Sequence, residues 1–120
     1  MKGILILAHG SREKQTENTL RQIIDLLQKK TVNTIIGKAF LQFSEINLEK
    51  GLDLLVKKGA REIVIIPYFL FDGIHIREDI PKEIEEYKKG NPDIKISLGK
   101  TLGVDERLVD ILLDRVGENA

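Results

Sequence analysis

Apolar positions along this chain follow two alternating rhythms. Short runs rich in Ile, Leu and Val occur at Gly3 to Ala8, Thr34 to Phe40, Glu62 to Ile66 and Ile94 to Leu98. Runs of this length predict strands; the first reads as buried on both faces, and the third is the most hydrophobic. Between the runs the spacing changes to three and four residues. Leu20, Ile23, Ile24, Leu26 and Leu27 predict a helix from Arg12 to about Lys30. Leu48, Leu52, Leu54, Leu55 and Val56 mark a second, Arg77 to Lys89 a third, and Leu108, Ile111, Leu112 and Val116 a fourth from Asp105 to Val116. The punctuation agrees. Ser11 is a candidate cap for the first helix, and Asp79, with Pro81 close behind, for the third. Lys57-Lys58-Gly59 is a helix stop, and Gly90-Asn91-Pro92-Asp93 a turn. Gly117 to Ala120 are expected to fray.

Strand and helix alternate four times. This predicts an α/β fold in one domain, residues 1–120, with a four-stranded parallel sheet in order 2-1-3-4 and helices on both faces. A domain of this size buries roughly two-thirds of its unfolded surface and needs no covalent staple.

Composition narrows the chemistry. The chain has no cysteine, which excludes disulfides, thiolate metal sites and cysteine nucleophiles. Its 19 basic and 19 acidic residues balance to zero, unlike the basic footprint of a nucleic-acid binder. The apolar run Ile4 to Ala8 is too short for a membrane span or a signal-peptide core. A cytoplasmic protein without membrane or nucleic-acid partners is expected. Neither a glycine-rich dinucleotide fingerprint nor a phosphate-binding loop occurs, which argues against a nucleotide domain.

Chemistry-bearing residues gather at one place in the predicted topology. Ligands of open parallel sheets bind beyond the carboxyl ends of the strands, where the strand order reverses. His9 follows the first strand, Glu45 the second and His75 the third. In order 2-1-3-4 the first and third strands are neighbours, so the chain's two histidines share the reversal point. Two imidazoles and a carboxylate suit a divalent first-row metal. The bland alternatives are a turn histidine, a partly buried histidine and a helix-start glutamate.

The residues around these positions resemble the short-form sirohydrochlorin chelatases, class II enzymes that insert cobalt, iron or nickel into a tetrapyrrole. The resemblance rests on Ala8-His9-Gly10-Ser11-Arg12, Phe43-Ser44-Glu45, Gly59-Ala60 before the third strand, Phe69-Leu70-Phe71 with Gly73-Ile74-His75, and Arg77-Glu78-Asp79-Ile80-Pro81. The tail from Leu102 to Arg115 is also similar. Two departures stand out: Ile46 replaces the proline that often follows the glutamate, and there is no histidine-rich loop.

The resemblance implies a three-layer chelatase-like fold and pairing of single-domain members as homodimers, longer relatives carrying two such domains in one chain. It implies His9 and His75 as metal-handling catalytic residues and Glu45 as a site carboxylate. The metal, Co²⁺, Fe²⁺ or Ni²⁺, is then a substrate, with no permanently bound cofactor expected. The tetrapyrrole's carboxylates suggest Arg12 and Arg77 as bidentate partners, with Ser11 and Ser44 adding hydroxyl contacts. Phe69, Phe71 and Ile74 are expected to contact the macrocycle, with Gly73 permitting motion. For the arginines the alternative is a solvated helix position, and for the apolar residues core or dimer packing.

Overall fold

The computed structural model describes residues 1–119, the side chains of His75 and Ile76 excepted. Four parallel strands, β1 (Lys2–Ala8), β2 (Thr34–Phe40), β3 (Glu62–Pro67) and β4 (Lys95–Leu98), form one sheet in the order β2-β1-β3-β4. The expected order is therefore present. Register runs Leu5 to Gly37 on one side of β1 and Leu5 to Ile65 on the other.

Four helices join and follow the strands: α1 (Lys14–Lys29), α2 (Leu48–Lys57), α3 (Ile80–Gly90) and α4 (Glu106–Glu118). A π-helical turn, His75–Asp79, leads into α3. Side chains alternate across the sheet, and two cores result. Leu5, Leu7, Ala39, Ile63, Ile65 and Ile96 face α2 and α3, where they meet Leu48, Leu52, Leu55, Ile80 and Ile84. Ile6, Ala8 and Phe40 face α1 and meet Leu20.

Packing on the first face is close. A Cβ at Gly51 in α2 would lie 2.9 Å from the Ala39 Cβ, so glycine there lets the helix approach the sheet. Tyr87 of α3 donates a hydrogen bond from its hydroxyl to Asp53 Oδ1 of α2 at 2.7 Å. Burial first, and then that carboxylate, push the phenol pKa well above its ordinary value.

Several expected ends differ. Ser11 does not cap α1; its Oγ accepts from the Glu13 N–H at 3.0 Å, and the helix begins at Lys14. A serine can close a turn two residues ahead as well as it can cap. Asp79 does not cap α3 through its side chain, because it already has helical dihedrals within the π-turn. The last helix continues to Glu118 past the expected fraying point at Gly117. No helix among the described residues is long and apolar enough to cross a membrane.

Candidate active site

The carboxyl edge of the sheet is built by loops that continue the ladder beyond the strands. Leu41 N donates to the Ala8 carbonyl at 3.0 Å and Gln42 N to the His9 carbonyl at 3.1 Å. On the other side of β1, Tyr68 N donates to the Leu7 carbonyl at 2.7 Å. His9 therefore leaves β1 with its backbone held. The chain then turns at Gly10, whose φ is +87° and where a Cβ would lie 2.1 Å from the Gln42 carbonyl oxygen. No L side chain fits there.

The His9 ring stacks on Phe69, with centroids 4.1 Å apart and planes 26° apart. Phe69 is buried in the α2/α3 core, whereas His9 is exposed. One ring is thus a fixed floor and the other lies open above it. The contact joins the end of β1 to the loop after β3, across the point where the strand order reverses.

That β3 loop is tied to the segment after β4. Leu102 N donates to the Phe69 carbonyl at 2.8 Å, Gly103 N to the Leu70 carbonyl at 3.1 Å, and the Thr101 hydroxyl to Asp72 Oδ1 at 2.9 Å. Asp72 is thus a loop fastener. Leu70, Phe71 and Ile74 stay exposed, Phe71 at 82 %. Gly73 precedes the π-turn, and its carbonyl accepts from Arg77 N at 3.2 Å. The Arg77 side chain is exposed. His75 begins the π-turn, and its side chain lies outside the described residues.

A second feature adjoins His9 on the α1 side. The Arg12 guanidinium lies 4.9 Å from the centre of the Phe43 ring, within cation–π range. Phe43 has φ +58°, in the left-handed region that non-glycine residues seldom occupy. Ser44 Oγ accepts from Ile46 N at 3.1 Å and closes the following turn. A cavity of about 380 Å³ is lined by Gly10, Ser11, Arg12, Phe40, Phe43 and Ser44 with the first turn of α1. It brings Ser11, Arg12 and Ser44 together. Its lining does not include His9 or Glu45.

Glu45 is exposed, and its carbonyl accepts from Asn47 N at 3.1 Å. It lies in the loop ahead of α2, which is capped by Asn47, so a first-turn helix position does not account for it. Sequence reasoning passed over two contributors, Phe43 as the platform for Arg12 and the Thr101–Gly103 strap. Both follow strands at the same edge as the histidines, and that topological rule is the signal that would have found them.

With this geometry in place, comparison with known proteins is decisive. The CbiX family matches residues 3–119. This chain belongs to the CbiX family. A sirohydrochlorin cobaltochelatase of Sulfurisphaera tokodaii is 32% identical over 118 residues, covering 98% of this chain and 93% of the relative. A sirohydrochlorin ferrochelatase of Priestia megaterium is 33% identical over 98% of this chain, which spans only 44% of that longer protein. Among solved structures, the sirohydrochlorin chelatase SirB of Bacillus subtilis subspecies spizizenii, in complex with cobalt, superposes with a TM-score of 0.89 at 31% identity. That match takes in 98% of this chain and 50% of SirB. The proteins this chain resembles thus include chains of about this length and chains about twice as long.

Proposed function

We propose that this protein is a sirohydrochlorin chelatase. It inserts a divalent metal, Co²⁺ in preference to Fe²⁺, into the tetrapyrrole in cobalamin or siroheme biosynthesis. The observation that carries the reading is the stack of exposed His9 on buried Phe69. It holds an imidazole at the strand reversal, beside the loop that carries His75. The preference for cobalt is supported by relatives that match this chain over nearly their whole length and are named cobaltochelatases, whereas longer relatives carry either name.

Insertion exchanges two pyrrole N–H protons for one divalent ion, with no transfer of electrons. The protein's work is to present the ion, take up protons and hold the ring. A neutral imidazole has one lone pair free, which binds a metal or accepts a proton but not both at once. His9 and His75 divide these tasks, and Glu45 is a further acceptor at the same edge. Phe71, Ile74 and Leu70 offer an apolar surface to the macrocycle, whereas Phe69 acts from beneath through His9. Gly73 lets that loop adjust. Arg12, steadied on Phe43, and Arg77 meet peripheral carboxylates, with Ser11 and Ser44 at the Arg12 cavity. The protein works in the cytoplasm as a homodimer of single domains, with the metal as substrate and no resident cofactor.

Anaerobic mixing with sirohydrochlorin and Co²⁺, Fe²⁺ or Ni²⁺, followed by absorbance, tests this. Insertion should be accelerated above the spontaneous rate, most with Co²⁺. His9→Ala and His75→Ala should each lose about 10²-fold or more, the usual range for a removed acid–base group. Acceleration greatest with Ni²⁺ would make it a nickel chelatase on the same type of substrate. Binding of the tetrapyrrole without any acceleration would make it a carrier.

A further inference from the structure

The chain leaving β4 keeps beside the chain leaving β3. Strand pairing ends with Leu98 opposite Ile65, yet Gly99 N still donates to the Ile65 carbonyl at 2.8 Å. The approach is close, since a Cβ at Gly99 would lie 2.7 Å from the Ile66 Cδ1. Leu102 N and Gly103 N then take up the Phe69 and Leu70 carbonyls, and Gly103 turns the chain away with φ +57°. Asp105 follows as the cap of α4, accepting from Arg107 N at 2.9 Å. The Thr101–Gly103 strap is therefore short and held to the sheet edge at its start.

What the strap grips changes along the β3 loop. At Phe69 and Leu70 it holds backbone, through N–H groups that a change of side chain at Thr101 leaves in place. At Asp72 it holds on by one side chain, the Thr101 hydroxyl, which donates to Asp72 Oδ1 at 2.9 Å across 29 residues of sequence. Among the described residues this is the one hydrogen bond that residues 71–73 make to a partner outside residues 67–79. The Gly73 carbonyl accepts from Arg77 N, inside the π-turn. Packing does little to place this stretch, because Phe71 is bare and nothing lies near the Cβ position of Gly73. Ile74 comes next, and then His75 at the start of the π-turn. His9, by contrast, rests on the buried ring of Phe69. One histidine thus stands on a fixed floor, and the other follows the least-held part of its loop.

We propose, on the metal-handling reading above, that Thr101 is a positioning residue: through Asp72 its hydroxyl holds residues 72–75 where His75 shares one ion with His9. The role is confined to the metal. Leu70 is held by the Gly103 N–H, so the apolar surface offered to the macrocycle survives loss of the hydroxyl. The Thr101–Asp72 bond is exposed, and an exposed bond adds little to folding. A loop released from it is competent for only part of the time, and apparent affinity for the ion falls by that fraction.

Calorimetric titration of the whole chain with Co²⁺ alone, without tetrapyrrole, reads this directly. Thr101→Val keeps the shape, loses the donor and should weaken Co²⁺ binding about five-fold. Thr101→Ser restores the hydroxyl and should restore the affinity. Asp72→Ala should weaken binding as much as Thr101→Val, and the double variant no more than either. In Thr101→Val the amides of Leu102 and Gly103 should keep their protection from hydrogen exchange. In the insertion assay its KM for Co²⁺ should rise while its KM for sirohydrochlorin stays unchanged. Thr101→Val that binds Co²⁺ as wild type does would overturn the proposal and leave the chelatase reading standing. Lost protection at Leu102 and Gly103, or no restoration by Thr101→Ser, would make Thr101 merely structural and overturn it too. A wild type that binds no Co²⁺ would overturn metal handling at this edge, and the role of Thr101 with it.

Discussion

α2 and α4 are alike as isolated segments and opposite in the fold. Each has an apolar stripe, a carboxylate in the first turn, a basic residue in the last and a side-chain N-cap, Asn47 for α2 and Asp105 for α4. Yet α2 buries Leu48, Gly51, Leu52 and Leu55, and α4 buries nothing. Periodicity states which side of a helix is apolar. It does not state what covers that side. The difference arises because α2 connects two strands of the sheet and must return across it, whereas α4 follows the last strand and has no such constraint.

The largest effect that would separate the two helices comes from truncating matched leucines. Leu52, fully buried, should cost about 2–5 kcal/mol as Leu52→Ala, read from urea unfolding. Leu112→Ala should leave protomer unfolding nearly unchanged and weaken only the part of stability that rises with protein concentration. Equal losses in dilute protein would break the comparison.

Next comes the close approach that only α2 makes. Gly51→Ala places a methyl 2.9 Å from the Ala39 Cβ and should cost about 1–3 kcal/mol by overpacking. In α4, Gly117 has open space around its Cβ position, and Gly117→Ala should be neutral or mildly stabilising.

Tyr87→Phe removes the bond that ties α3 to α2 and should cost about 1 kcal/mol near neutral pH. The native phenol pKa is raised, so its contribution is complete below the ordinary tyrosine pKa of 10.0. The unfolded chain ionises first as pH rises, and stability falls above that point. Unfolding midpoints between pH 9 and 11 should decline more steeply in wild type than in Tyr87→Phe.

The smallest effect concerns the caps. Asn47→Ala should cost about 1 kcal/mol of global stability, because α2 is coupled to the core. Asp105→Ala should instead reduce the helical signal with little change in the unfolding midpoint. Hydrogen bonds from the Arg107 side chain and backbone hold the Asp105 carboxyl well below the usual carboxylate range. The cap's contribution is therefore complete above that range and is lost only as pH falls below it toward the depressed native value, so the helical signal of α4 should persist in acid below the usual carboxylate range.

Much of the site was legible because topology is coarse and patterned. β2 begins and ends where its apolar run does, alternation of elements points to a parallel sheet, and the order β2-β1-β3-β4 is a common doubly wound pattern. That order alone brings His9 and the His75 loop to neighbouring strands. Side-chain detail was less legible. Phe69 and Phe71 are near neighbours in sequence, yet Phe69 is buried beneath His9 and Phe71 is 82% exposed. Nothing in the FLF run distinguishes a floor from a wall. Ser11 reads as a cap or a ligand and Ser44 as a ligand, but both first satisfy an N–H two residues ahead. Local hydrogen bonds of this kind compete at every serine.

The sequence by itself determined the succession of elements, the parallel sheet, and the edge at which His9, Glu45 and His75 emerge. These depend on periodicity and chain connectivity, which are local or nearly so. Tertiary structure alone decided the stack of His9 on Phe69, the Arg12–Phe43 contact and the bare stripe of α4. Each depends on which surfaces remain after the sheet has closed its two cores. An apolar stripe is the same sequence signal whether its own domain covers it or leaves it for another.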